Sequence, residues 1–179
     1  MMRLARMDEL ELLREIESAA DQAFRTIGMD LVAESDPAPL ASLQDYQHAG
    51  RAFVHTEDAG LPVAFLLLGL LDGSAHIEQV SVHPTYARQG RGRDLIDAAE
   101  AWAEAEKGLH SLTLTTYANV PWNAPYYARL GFDVVPPPAW SPGIRALRER
   151  EAAIGLDAWP RIVMARNLHR TIGNREHPL

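Results

Sequence analysis

The chain has 179 residues, 17 Lys plus Arg against 24 Asp plus Glu for a net charge of −7, and no cysteine. This length suits one domain with a real hydrophobic core. The missing cysteines exclude disulfides, thiolate metal sites and cysteine nucleophiles, and the acidic balance argues against nucleic acid, which needs a basic face.

Met2 to Ala5 reads as a short first strand. From Met7 to Phe24 the apolar residues Leu10, Leu13, Ile16, Ala20 and Phe24 recur at steps of three and four, which predicts an amphipathic helix. Gly28 to Pro39 is irregular and broken by Asp36-Pro37 and Pro39, so a loop is expected, followed by a short helix over Leu40 to His48. Arg51 to Glu57 and Val63 to Leu71 read as two strands of a hairpin, and Asp72-Gly73 turns the chain into a third strand over Ser74 to Val82. After a loop over Thr85 to Gly92 comes a strong helix, Arg93 to Lys107, ended by Gly108. Ser111 to Thr116 is β-branched and alternating, hence a strand. Pro121 to Leu130 reads as a helix with Asn123 as N-cap, and Phe132 to Val135 as a strand. The triple proline at 136–138 forces an extended loop before a charged helix over Ile144 to Ala153, and Arg161 to Leu168 is the closing strand.

This order predicts one α/β domain, a mixed sheet with helices on both faces rather than a doubly wound nucleotide fold. Its core spans about 1–168, with an insertion at 136–160 and a frayed tail at 169–179. No repeat is visible. The longest apolar run, Val63 to Leu71, is too short for the roughly 18 residues of a membrane span. The first residues lack the apolar stretch of a signal peptide, so a soluble, cytoplasmic protein that does not engage a membrane is expected.

The chemistry concentrates between Glu78 and Ile96, which run strand, glycine-rich turn, helix start. Such a turn aims backbone N–H groups at one point, and the helix N-terminus adds partial positive charge, which suits a phosphate or pyrophosphate. Glycine lets the ligand approach closely, and Arg88, Arg91 and Arg93 can add charge-assisted hydrogen bonds. The P-loop pattern fails for want of Gly-Lys-Ser/Thr, and the dinucleotide fingerprint fails for want of a third glycine.

The pattern of Val82, Pro84, Arg88, Gln89, Gly90, Gly92 and Arg93 resembles the acetyl-CoA motif of the GNAT acetyltransferase superfamily. Asn119 to Phe132 resembles that family's Asn…Ala…Tyr-x-x-Leu-Gly-Phe segment. The resemblance covers Arg51 to Val135 well, and it departs at Ala87, where the family usually has Arg or Gln. It implies the GNAT acyl-CoA acyltransferase fold, with a mostly antiparallel central sheet, and acetyl-CoA as co-substrate. The implied cofactor-binding residues are Val80, Val82, Arg88, Gln89, Gly90, Arg91, Gly92, Arg93 and Asn123, with Val80 to Val82 pairing to the pantetheine arm like an added strand.

By the same resemblance Tyr127, four residues before Gly131, is the acid that protonates the departing thiolate, whereas Tyr126 reads as packing. Glu78 is the candidate base, directly or through water, with His76 and His83 as rivals. The Val80 N–H is the candidate for polarising the thioester carbonyl, in a direct attack through a tetrahedral intermediate. The histidines are too scattered for a metal site. The implied activity is N-acetylation of a primary amine of a small molecule or peptide. The loop at 28–39, with Asp30, Glu34 and Asp36, and the insertion at 136–160 would flank the acceptor cleft. Trp140 and Trp159 of that insertion are alternative anchors for a homodimer contact. A non-catalytic acyl-CoA sensor of the same fold stays open, with Ala87 pointing to it and Glu78 and Tyr127 against it.

Overall fold

Among the described residues, seven strands form one sheet in the order β1-β2-β3-β4-β5-β7-β6. They are β1 (Met2–Leu4), β2 (Ala52–Thr56), β3 (Pro62–Leu71), β4 (Ser74–Val82), β5 (Ser111–Tyr117), β6 (Asp133–Val135) and β7 (Arg161–Asn167). All neighbours are antiparallel except β4 and β5, which run parallel. The computed structural model describes residues 1–106 and 108–168, so the expected tail at 169–179 lies outside the described residues.

Alternation along β3 sorts the core into two layers. Ala64, Leu66 and Leu68 pack with Leu95, Ile96 and Ala99 of α4 (Arg91–Ala105). Phe65 and Leu67 face the other way, onto Leu10, Leu13 and Ile16 of α1 (Leu10–Asp21) and Leu43 of α3 (Leu40–His48). The apolar spacing along 7–24 is therefore the buried stripe of α1, although its first and last turns are 3₁₀ helix. The β3–β4 turn is made by Asp72 and Gly73, both left-handed, as a two-residue hairpin with matching twist requires.

Several expectations change in detail, among them the bounds of α4, which begins at Arg91 rather than Arg93 because left-handed Gly90 is its N-cap, and which ends at Ala105. The segment at 28–39 is not all loop, because α2 (Asp30–Ala33) follows left-handed Gly28 and buries Met29 and Ala33 against Tyr117 and Val120. The helix expected from Pro121 starts later, as α5 (Ala124–Arg129), because the chain first turns with Asn123 N–H donating to Val120 O at 2.9 Å. Asn123 holds the N-cap position, yet its side chain makes no cap bond. The charged helix starts earlier, as α6 (Pro142–Ala153), since the Ser141 hydroxyl accepts from Ile144 N at 3.3 Å and Pro142 suits a first turn.

The feature that opens the sheet is in its middle. β4 and β5 pair only from Ser74 to Ile77 against Ser111 to Leu114, and both continue beyond as separate strands. Where they part, the register to β3 shifts: Leu68 pairs Ile77 and Leu67 pairs Gln79, so Glu78 is the extra residue of a β-bulge.

Candidate active site

Past the bulge, β4 keeps β3 on one edge and has lost β5 on the other. His83 N donates to Val63 O at 2.9 Å, and antiparallel bonding alternates along the strand. The N–H groups of Ser81 and Gln79 therefore also face β3, while those of Val80 and Val82 face the open gap. Their side chains pack on the α4 layer. An extended ligand laid in the gap would find an unpaired strand edge.

The gap leads to the glycine turn. Arg88 (φ 61°) and Gly90 (φ 81°) are both left-handed, and Gly90 is the N-cap of α4. The first helical bond is Asp94 N to Gly90 O at 3.0 Å, which leaves the N–H groups of Arg91, Gly92 and Arg93 without helical partners. A 15-residue helix thus points its positive end at the mouth of the strand gap. The side chains divide. Arg88 and Arg93 are exposed beside the turn. Arg91 instead reaches back to His55 Nδ1 at 2.9 Å, stacks over Tyr86 and takes Gln89 Oε1 at 3.3 Å, so it braces the turn against β2. His55 Nε2 faces Asp94 at 3.2 Å, and its Nδ1 also lies 3.1 Å from Thr56 O. The Ala87 N–H is spent on Pro84 O at 3.1 Å.

Glu78 lies where the strands separate. The bulge puts it on the α1/α3 side, with its carboxylate resting on Gly69, a position where any Cβ would collide with Oε1. A glycine inside an apolar strand is the signature of such a close approach. The carboxylate borders a cavity of about 410 Å³ shared with Ser42, Asp45, Tyr46, Arg51 and Leu70. Its surface is open to solvent, yet protein crowds it on several sides. This crowding holds its pKa above the ordinary carboxylate range, and the nearby charge of Glu151 adds to the rise, against Arg150 and Arg51.

Tyr126 and Tyr127 enter from α5, on the α4 side. A Cβ on Gly92 would come within 2.9 Å of the Tyr126 hydroxyl, so Tyr126 packs between the core and the glycine turn. Tyr127 stacks edge-on against Tyr126 and Phe132, and burial raises its pKa further, so it stays protonated. Asn123 caps the same helix and accepts from Tyr126 N and Tyr127 N through its carbonyl.

The rival histidines are occupied. His76 is 2% exposed, bonded through Nδ1 to Thr113 Oγ1 at 2.8 Å, and burial lowers its pKa to about 4. His83 accepts from Thr85 N at 3.3 Å. Of the acidic loop, Asp30 and Glu34 pair with Arg25 at 3.5 and 3.0 Å. Trp140 donates to Val135 O at 2.9 Å, and Trp159 packs on Tyr117. Among the described residues there is no group of three or more His, Cys, Asp or Glu placed to hold a metal, and no helix long and apolar enough to cross a membrane.

The insertion contributes what sequence reading missed. From α6, Glu151 accepts from Thr115 Oγ1 at 2.5 Å and pairs with Arg148 and with Arg161 at 3.2 Å, while Arg148 also pairs with Asp157 at 2.6 Å. These ties hold Glu151 ionised, below the ordinary carboxylate range despite its burial. Glu151→Ala, which leaves Arg161 without a carboxylate and Arg148 with Asp157 alone, is expected to cost about 3 kcal/mol of stability in urea unfolding. A loss under about 1 kcal/mol would show the network to be weakly held.

A model of the acetyltransferase (GNAT) family matches residues 11–132. Among solved structures, an acetyltransferase of the GNAT family from Staphylococcus aureus superposes with a TM-score of 0.72 at 14% identity, covering 94% of this chain and 98% of that one. The ribosomal-protein-S18-alanine N-acetyltransferase of Escherichia coli gives 0.64 at 20% identity, covering 99% of both chains. The PaiA N-acetyltransferase of Thermoplasma acidophilum, in complex with coenzyme A, gives 0.64 at 16% identity, covering 93% and 98%.

Proposed function

Because this chain belongs to the GNAT family of acyl-CoA-dependent N-acetyltransferases, we propose that it moves the acetyl group of acetyl-CoA onto a primary amine of a small molecule or peptide, by direct attack. The observation that carries this is the parting of β4 from β5 at the Glu78 bulge, with the free edge of Val80 and Val82 leading to the glycine turn. The residues fit the co-substrate: backbone amides of the turn and the α4 N-terminus suit its pyrophosphate, with Arg88, Gln89, Gly90, Gly92 and Arg93 around them. Val80 and Val82 suit the pantetheine arm, Asn123 sets the start of α5 beside it, and Arg91 acts through the turn it braces.

The amine nitrogen attacks the thioester carbonyl carbon, the C–N bond forms and the C–S bond breaks. Glu78, directly or through water, takes the proton the amine loses. The Val80 N–H faces the gap and suits the carbonyl oxygen as negative charge develops there. Tyr127 supplies the proton for the leaving thiolate. Removing only that donor, Tyr127→Phe is expected to lower kcat about 10- to 100-fold with acetyl-CoA affinity nearly unchanged. Unchanged turnover would leave Tyr127 as packing for Phe132.

The whole reading is tested by calorimetric titration with acetyl-CoA, against free CoA and ATP, followed by an amine screen read by released thiol. Binding with amine-dependent thiol release is the expected result. Binding without release for any amine would instead favour a sensor. The acidic net charge suits an acceptor bearing an amine better than a nucleic acid.

A further inference from the structure

We propose that the acceptor carries an anionic group beside its amine, as a free amino acid does, and that Arg51 binds that group in the cavity bordered by Glu78. This deepens the function proposed above and rests on it.

Arg51 sits between α3 and β2, and its backbone is held on both sides. Its N–H donates to Tyr46 O at 2.9 Å, and its carbonyl accepts from Leu68 N at 2.9 Å. The side chain is thereby launched from a fixed point into the wall of the 410 Å³ cavity. Other buried or half-buried arginines have carboxylate partners: Arg3 has Glu9, Arg148 and Arg161 have Glu151, and Arg166 has Glu100. Among the described residues Arg51 enters no ion pair; its Nε is buried without a partner, as are those of Arg91, Arg148, Arg161 and Arg166. What sets Arg51 apart is that no carboxylate pairs with it although it lines the cavity. A guanidinium keeps its charge at every working pH, so burying part of it unpaired is costly unless something completes its bonds. A carboxylate does so with two parallel bonds in the geometry of the fork.

The rest of the cavity fits the same occupant. The Tyr46 hydroxyl feels both Glu78 and Arg51, and burial pushes its pKa up to about 12, so it remains a donor for an anion. Glu78 and Asp45 offer negative charge for an aminium. Donors and acceptors on separate residues of one small cavity match a zwitterion better than a simple amine. The volume suits a single small molecule. The N-terminus of a long peptide has no carboxylate next to its amine, which favours the free amino acid.

The test compares thiol release from acetyl-CoA for the twenty common L-amino acids and for their α-carboxamides, in wild type, Arg51→Gln and Arg51→Lys. Wild type is expected to prefer the acids by about 10- to 100-fold in kcat/KM. Arg51→Gln should raise KM for the acids by about that factor more than for the carboxamides, with Arg51→Lys recovering part of the loss. Acetyl-CoA affinity, set by residues elsewhere, reports that each variant is folded. Equal use of acids and carboxamides, or a preference that survives Arg51→Gln, overturns the assignment of Arg51 while leaving the acetyltransferase reading intact. If no amine releases thiol, calorimetry of the N-acetyl amino acids against protein saturated with CoA decides. Binding that is lost in Arg51→Gln supports the anion site even where the catalytic reading has failed, and no binding overturns it.

Discussion

Glu78→Gln is expected to lower kcat/KM by about 10²- to 10⁴-fold, the range for loss of a positioned general base. Acetyl-CoA affinity should stay close to wild type, because the carboxylate faces Gly69 and the cavity beside α3 and not the glycine turn. The pH profile adds a sharper criterion. Crowding and the charge of Glu151 raise the Glu78 pKa, so the acid limb of the wild-type profile should lie above the ordinary carboxylate range. Activity falls as pH drops through that limb, since the base becomes protonated, and Glu78→Gln should remove the limb altogether. Stability runs the other way. A carboxyl whose folded pKa is raised contributes stability that is fully present below its unfolded pKa and is lost as pH rises through the folded value. Asp21, pushed up to about 7 by burial and by Glu17, behaves likewise, losing its contribution between the ordinary carboxylate range and about pH 7. Glu78→Gln should therefore melt no lower than wild type near neutral pH. Wild-type turnover with an unmoved limb would make Glu78 a structural carboxylate packed on Gly69.

Gly90→Asp is expected to weaken acetyl-CoA binding at least about 100-fold, the size of effect that losing charge-assisted hydrogen bonds and adding repulsion produces. The cause is not bulk, since a Cβ at Gly90 meets nothing within 4 Å. It is backbone and charge. Gly90 holds φ 81° at the helix N-cap, where an L-residue costs roughly 1–2 kcal/mol. The new carboxylate would also satisfy the helix N–H groups that the phosphates need. That strain should lower the melting temperature by only about 2–8 °C, so the fold should survive, and the larger damage should appear in calorimetric titration with acetyl-CoA. Gly90→Ala, which brings strain without charge, should fall between the two. An Asp variant that binds normally would mean that the phosphates sit elsewhere.

Local physical chemistry made much of this protein legible before any fold was known. The helical spacing of Leu10, Leu13 and Ile16, the Asp72-Gly73 turn, and the strand–turn–helix from Val80 through Arg93 each depend on contacts within a few residues. The sequence by itself therefore determined the element order, the mixed sheet and the glycine turn that marks a co-substrate bearing phosphates. It left the start of α5 and the presence of α2 misread, because those boundaries follow from burial of Met29 and Ala33 and from the turn at Asn123.

Only the tertiary structure decided how the site is put together. Whether Glu78 faces the α1/α3 side depends on an extra residue in β4, and a bulge exists only relative to the partner strand, where Leu67 and Leu68 shift register. The one local hint was Gly69, a glycine in an otherwise apolar run. That Arg91 braces β2 while Arg51, 40 positions earlier in the chain, opens onto the cavity of Glu78 depends on pairing and docking across the sheet. Turn chemistry and periodicity are written in neighbouring residues, whereas strand register and the partners of a charged side chain are set by residues far apart in sequence.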